Sequence, residues 1–191
     1  MWALHILGVK RIIATNAVGA INENYGPGDL VIPSDFIDFT KSRPLTFYDG
    51  SPVTHIDVTE PYCPELRTIL KKAAKERVRK VWSDAVYACM EGPRYETPAE
   101  IRMLKTLGCD VVGMTGIPEA TLARELEICY ATLCFVSNMA AGIRKRVSTD
   151  EVVEIGKRMA PILQEVLERA CTQIPEKRSC PCSHALEGAR F

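Results

Sequence analysis

Apolar and polar positions follow two rhythms along this chain, and the rhythm switches repeatedly. Residues 11–19 (RIIATNAVG) form a β-branched run ending in small residues, and 28–40 (GDLVIPSDFIDFT) form a second strand-rich segment after the turn at Gly26-Pro27-Gly28. Residues 84–90 (DAVYACM), 109–116 (CDVVGMTG) and 129–138 (CYATLCFVSN) read as further strands. The last is almost continuously apolar, as a strand covered on both faces would be. Helical spacing appears between them, over 64–78 (PELRTILKKAAKERV), 99–108 ending at Gly108, and 118–127 (PEATLARELE). The opening MWALHILGVK reads as the end of an amphipathic helix closed by Gly8. A capping box at Ser148 to Glu151 starts a final helix, with apolar residues at 152, 155, 159, 162, 163, 166 and 167 and a kink predicted at Pro161. Strands alternating with helices predict an α/β fold, a largely parallel sheet with helices on both faces.

Composition narrows the function classes. The 191 residues are 47% hydrophobic and 25% charged, enough for one α/β domain with a sizeable core or at most two small ones. Lys+Arg and Asp+Glu balance at 24 each, and no basic run carries interleaved aromatics, which argues against a nucleic-acid partner. The apolar runs are strand-sized and no charged-then-apolar leader precedes them, so neither a membrane span nor a signal peptide is expected, and the predicted location is cytoplasmic. Of the eight cysteines, Cys89, Cys109, Cys129 and Cys134 sit in or beside strand-like runs, where free cysteine acts as a small buried hydrophobe. Cys180-Pro181-Cys182 stands apart and suits either a strained disulfide or a metal shared with His184. With three histidines and no second ligand pair at zinc-site spacing, no metal is expected.

In such sheets ligands bind beyond the carboxyl ends of the strands. Those ends, TNAVG, MEGPRYE, VVGMTG and VSN, each join small residues to a polar side chain: Asn16, Glu96, Thr115 and Asn138. Met114 and Tyr95 add flexible and flat apolar surface. Taken singly, an Asn after a strand is usually a turn residue and a Met usually core; four such ends in one chain favour a site. In MEGPRYETPAE, Thr97 is a predicted N-cap, Pro98 the first helical residue and Glu100 the partner in a capping box. Capping leaves Glu96 unexplained, a carboxylate that must face water or a hydrogen-bond donor.

The segments TNAVGAINENYGPGDLVIPSDFID, TFYDG, HIDVTEPYCPELR, EGPRYETPAEIR, GMTGIPEATLARE and VSNMAAG together resemble the trimeric purine nucleoside phosphorylase and methylthioadenosine phosphorylase family. The resemblance runs to about residue 170, which defines a domain over 1–172 and leaves 173–191 as a C-terminal extension carrying the CPC motif. It implies a three-layer fold with a mixed, largely parallel sheet, and phosphorolysis of a purine nucleoside to free base and a ribose 1-phosphate. Inorganic phosphate is a co-substrate, no metal or organic cofactor is used, and the active form is a trimer or a dimer of trimers. By the same resemblance Asn16, Ala17 and Thr115 bind phosphate. Met114 packs under the ribose, Tyr95 covers the base, Gly113 leaves room for it, and Met139 and Ala140 complete the pocket. Asn138 is the catalytic residue, hydrogen-bonding the purine at N7 and O6 as the base departs.

Glu96 then acquires a task. A 6-oxopurine carries a hydrogen on N1 that a carboxylate accepts, whereas a 6-aminopurine presents a bare acceptor there. Members of the family that prefer adenine bases have a small hydroxyl residue at the position of Glu96 and aspartates at those of Asn138 and Ala140. His55 matches a segment that, in the methylthio branch, reaches a neighbouring subunit's 5′ pocket, and Thr149 matches a further position of that pocket. These features favour S-methyl-5′-thioinosine, with inosine and guanosine as further substrates. Methylthioadenosine phosphorolysis is the alternative within the enzyme class. A non-catalytic purine-binding subunit and an oligomerisation partner of an intact paralogue are the alternatives outside it.

Family members also carry an N-terminal stretch with a glycine-rich loop and an Arg-His pair, both contacting phosphate. Neither pattern occurs in these 191 residues. The expectation is that the reading begins inside a longer frame or belongs to a truncated product, with N-terminal strands missing and sheet edge and apolar surface exposed.

Overall fold

A computed structural model describes residues 1–144 and 148–190. The strand segments become β1 (Arg11–Ala20), β2 (Leu30–Phe39), β3 (Val81–Met90), β4 (Val111–Gly113) and β5 (Cys129–Met139). The helical segments become α1 (Trp2–Ile6), α2 (Pro64–Lys75), α3 (Pro98–Thr106), α4 (Glu119–Glu125) and α5 (Thr149–Gln173). β1 runs parallel to β5, and β2, β3 and β4 are mutually parallel neighbours. Short antiparallel contacts, β1 with β4 and β2 with β5, join the two groups, so the mixed sheet closes as β1-β4-β3-β2-β5. The alternation does not foretell this closure. It follows from irregularities within strands: the register of β2 shifts on either side of Pro33, which has no N–H for the ladder, and such shifts bend a strand.

Three apolar clusters show how the layers pack. Val18, Val31, Tyr87, Tyr130 and Val136 belong to a central one, joined by α4 through Ala120 and Ala123. α2 and α5 cover one face of the sheet, burying Leu66, Leu70, Met159 and Val166 against Leu30, Ala131 and Leu133 of β2 and β5. α3 covers another with Ile101 and Leu104 against Ala88 and Val112. β5 is buried at every position except Phe135, as its apolar run predicts.

Several local expectations are met and others change. Thr97 and Glu100 form the reciprocal capping box. Ser148 is the N-cap of α5 but makes no side-chain capping bond; its carbonyl accepts from Val152 N–H instead. α5 is one continuous helix that contains Pro161. β1 pairs with β5 along its whole length but with β4 only at Gly19 and Ala20, so its other edge over 11–18 has no strand partner among the described residues. Trp2, Ile6 and Leu7 are exposed beside it in the chain. All eight cysteines are free thiols, seven of them buried. The C-terminal extension packs onto the domain: Cys180, Cys182, Ala185 and Ala189 are buried, and Thr54 bridges to Arg190. No helix among the described residues is long and apolar enough to cross a membrane.

Candidate active site

The carboxyl ends of β1, β4 and β5 open onto a cavity of about 330 Å³. Nine of the residues singled out in the sequence line it: Asn16, Ala17, Tyr95, Glu96, Gly113, Met114, Thr115, Asn138 and Ala140. They come from four separated segments, so the topology, not local sequence, brings them together. Met139 points into the central core instead. His55 and Thr149 are exposed and outside this lining. His55 donates its backbone N–H to Ala189 O at 2.8 Å, in the loop that meets the tail. From α5 it is Val152, not Thr149, that reaches the cavity.

Glu96 is half-buried, and its Oε1 is fully buried with no hydrogen-bond partner. Burial raises its carboxyl pKa above the ordinary value, partly offset by its own backbone N–H. The neighbouring Glu100 behaves oppositely. Arg94 grips it through two bonds of 2.8 Å and Thr97 N–H through one of 2.7 Å, holding its pKa down at about 2. Arg94 and the capping box thus fasten the backbone on both sides of Glu96 while leaving its Oε1 without a donor. Tyr95, 42% exposed, stands beside it on the cavity lining.

Asn138 is held from behind. Ser137 Oγ donates to its Oδ1 at 2.7 Å, and its Nδ2 donates to Met139 O at 2.9 Å. That fixes the amide orientation and leaves the second Nδ2 hydrogen for a ligand. Ser137 reaches this position through a bulge: Val18 pairs with Val136 and Gly19 with Asn138, so Ser137 is the extra residue.

At the other end of the cavity, Thr115 Oγ1 donates to Asn16 Oδ1 at 2.8 Å, and Asn16 Nδ2 donates to Thr132 Oγ1 at 2.8 Å. The Tyr87 hydroxyl accepts from Thr115 N–H at 3.1 Å and donates to Thr115 O. Tyr87 also explains Gly113: a Cβ there would lie 2.7 Å from the Tyr87 hydroxyl, so the glycine makes room for this tyrosine first. Met114 is seated by Gly92, whose φ is +71° and where a Cβ would meet Met114 Sδ at 2.6 Å. Arg43 ties these ends together by donating to the carbonyls of Ile117 (2.6 Å), Glu91 (3.1 Å) and Met114 (2.8 Å).

Ser137, Tyr87, Arg43 and Val152 were not singled out in the sequence. Ser137 had a signal, its place in VSN next to Asn138. Tyr87 and Arg43 lie in a strand interior and a loop, where nothing local marks them. The described lining contains the carboxylate of Glu96 and no lysine or arginine.

Similarity to known proteins agrees with this arrangement. A profile of the Phosphorylase superfamily matches residues 1–172. The chain is 60% identical over 191 residues to a probable S-methyl-5′-thioinosine phosphorylase of Methanopyrus kandleri, covering 99% of this chain and 74% of that protein. It is 51% identical over 197 residues to a 6-oxopurine nucleoside phosphorylase of Pyrococcus furiosus, with 99% and 74% coverage. In three dimensions it superposes with TM-score 0.93 on a crystal structure of a methylthioadenosine phosphorylase from an antarctic soil metagenomic library, at 35% identity, covering all of this chain and 68% of that one. Profile, sequence and fold converge over nearly every residue, and the chain belongs to the Phosphorylase superfamily.

Proposed function

We propose that this chain carries the base- and ribose-binding machinery of a 6-oxopurine nucleoside phosphorylase, with S-methyl-5′-thioinosine as the favoured substrate and inosine and guanosine as further ones. The observation that carries this reading is the orphaned Oε1 of Glu96, a buried acceptor without a donor on a residue that lines the cavity. Purine N1–H supplies that donor in a 6-oxopurine. In a 6-aminopurine the N1 lone pair would oppose the carboxylate, and a buried mismatch of this kind costs affinity heavily. The names of the two relatives agree with an oxygen-bearing purine.

In this reading phosphate attacks the anomeric carbon of the ribose as the bond to the base breaks. The sugar passes through a cationic state and the base leaves with negative charge. Asn138 donates its second Nδ2 hydrogen to the base as that charge develops, with Ser137 holding the amide in place. Met114 supports the ribose, Tyr95 covers the base, and Thr115 with the Asn16-Ala17 backbone binds phosphate. This chemistry calls for no organic cofactor and no catalytic metal. His55, outside its own chain's cavity, is proposed to serve the site of a neighbouring subunit in a cytoplasmic trimer or dimer of trimers.

The test is competitive phosphorolysis at saturating phosphate, following hypoxanthine released from S-methyl-5′-thioinosine against adenine released from S-methyl-5′-thioadenosine. Faster hypoxanthine release is expected. Faster adenine release overturns the substrate reading and leaves methylthioadenosine phosphorolysis in its place.

A further inference from the structure

Four cysteines scattered along the sequence meet at one point outside the cavity. Cys63 is the N-cap of α2, Cys129 opens β5, and Cys180 and Cys182 come from the tail. Their sulfurs all lie within 4.8 Å of one another, and all four residues are buried. The sulfurs of Cys129 and Cys180 approach to 3.3 Å. His184, the ligand that the sequence offered for the CPC motif, turns outward to Glu187 at 2.6 Å. The second pair comes instead from Cys63 and Cys129, too far apart in sequence for any spacing rule to join.

A neutral thiol is a weak donor and a weak acceptor, so four of them gain little by converging. Four thiolates around one ion gain a great deal. A tetrahedral centre with bonds of about 2.3 Å sets its sulfurs about 3.8 Å apart, a spacing this cluster needs only small side-chain adjustments to adopt. The charge around it fits as well. Arg124 is buried, with Nη1 3.9 Å from Cys182 Sγ and Nε bonded to Asp57 O at 3.1 Å. Arg178, bonded to Glu127 O at 2.7 Å, also faces Cys129. The Asp57 carboxylate, which Arg124 helps to stabilise, is exposed, and thiolates would add negative charge on the buried side of this guanidinium.

We propose that Cys63, Cys129, Cys180 and Cys182 hold a structural zinc ion. On binding, four thiols release four protons. The resulting centre, one divalent cation with four thiolates, carries a net charge of −2 that Arg124 and Arg178 offset. All four positions are filled by protein, so the ion takes no part in phosphorolysis, and the proposal stands whether or not the substrate reading does. Its role is that of a clip, binding the tail to the starts of α2 and β5. Beyond the clip the tail returns to hold His55 through Ala189 O and to bridge Thr54 with Arg190, so the ion also fixes the loop that carries His55.

The chain, produced without a histidine tag in zinc-supplied medium, is dialysed and its metal measured by plasma mass spectrometry. One zinc per chain is expected, released when a mercurial caps the thiols, and cobalt substituted for it should give the visible bands of a tetrahedral tetrathiolate. Cys182→Ser should lose the metal, while Cys171→Ser, at the exposed cysteine, should keep it. Should Cys182→Ser fail to fold, the metal content and cobalt spectrum of the unaltered chain still decide. Metal-free protein with these four thiols open to titration overturns the proposal. So does metal-free protein whose intact mass shows two disulfides among them.

Discussion

Replacing Glu96 by alanine tests base recognition at its centre. In the unliganded chain Oε1 of Glu96 is buried and without a donor, and burial already disfavours its charged form. A purine N1–H donating to it makes a charge-assisted bond worth about 1.5–3 kcal/mol. Deleting the carboxylate should therefore weaken hypoxanthine binding roughly 10- to 150-fold, at about 1.4 kcal/mol per decade. Adenine should bind at least as well as before, since its N1 lone pair no longer meets a carboxylate. The unliganded variant should be no less stable than the parent, because the orphaned acceptor leaves with the side chain. Calorimetric titration with the free bases reads all of this without relying on turnover. Glu96→Gln separates charge from shape: it keeps an acceptor oxygen but loses the charge, so its loss should fall between those of parent and alanine. Hypoxanthine binding Glu96→Ala as tightly as the parent, or adenine weakening in parallel, would refute the reasoning.

The raised pKa of Glu96 gives a pH signature with a definite sign. N1–H needs the ionised carboxylate, so hypoxanthine affinity should fall as pH drops through that raised pKa, and adenine affinity should not. For stability the direction reverses. Glu96 favours the folded chain below its unfolded pKa and loses that contribution as pH rises through the folded one, so denaturation curves of Glu96→Gln should show less loss of stability over that range. Gly92→Ala should cost about 1–2 kcal/mol for the left-handed backbone alone, and more because its Cβ meets Met114 Sδ at 2.6 Å. Gly8→Ala, with φ +79° and nothing within 4 Å, isolates the backbone part in parallel urea titrations. Tyr87→Phe removes the two bonds to the Thr115 backbone. It should cost about 1–2 kcal/mol of stability and raise the KM for phosphate more than that for nucleoside.

The sequence made the elements legible because each carries its own punctuation. Gly8 and Gly108 both follow helices and adopt positive φ, and the run at 129–138 is apolar because β5 is buried on both faces. Glu96 was legible for the opposite reason, as a carboxylate that the capping box next to it does not use. What stayed hidden depends on register and distance. The bulge that delivers Ser137 to Asn138 is a mismatch between two strands, written in neither alone. Tyr87 reads as an ordinary strand aromatic until the fold brings Thr115 to its hydroxyl. Cys129 reads as a small core residue, and nothing marks Cys63, until the fold brings Cys180 and Cys182 of the tail to both.

The two ends of the cavity differ in how complete they are, and the difference bears on mechanism. At the end proposed to take the base, one amide is locked by Ser137 and Met139, and Glu96 Oε1 is an acceptor left without a donor. Preorganised groups of this kind cost no reorganisation when charge develops on the base. At the end proposed to take phosphate the described residues offer hydroxyl and amide groups but no cation, while Glu96 adds a carboxyl group to the same cavity. Hydrogen bonds alone orient an anion without neutralising it. In the proposed reading, base recognition draws only on the described residues. For the proposed site formed by the described lining alone, hypoxanthine should bind well and phosphate weakly in paired calorimetric titrations. Tight phosphate binding by the described lining alone would show that the electrostatic argument is wrong.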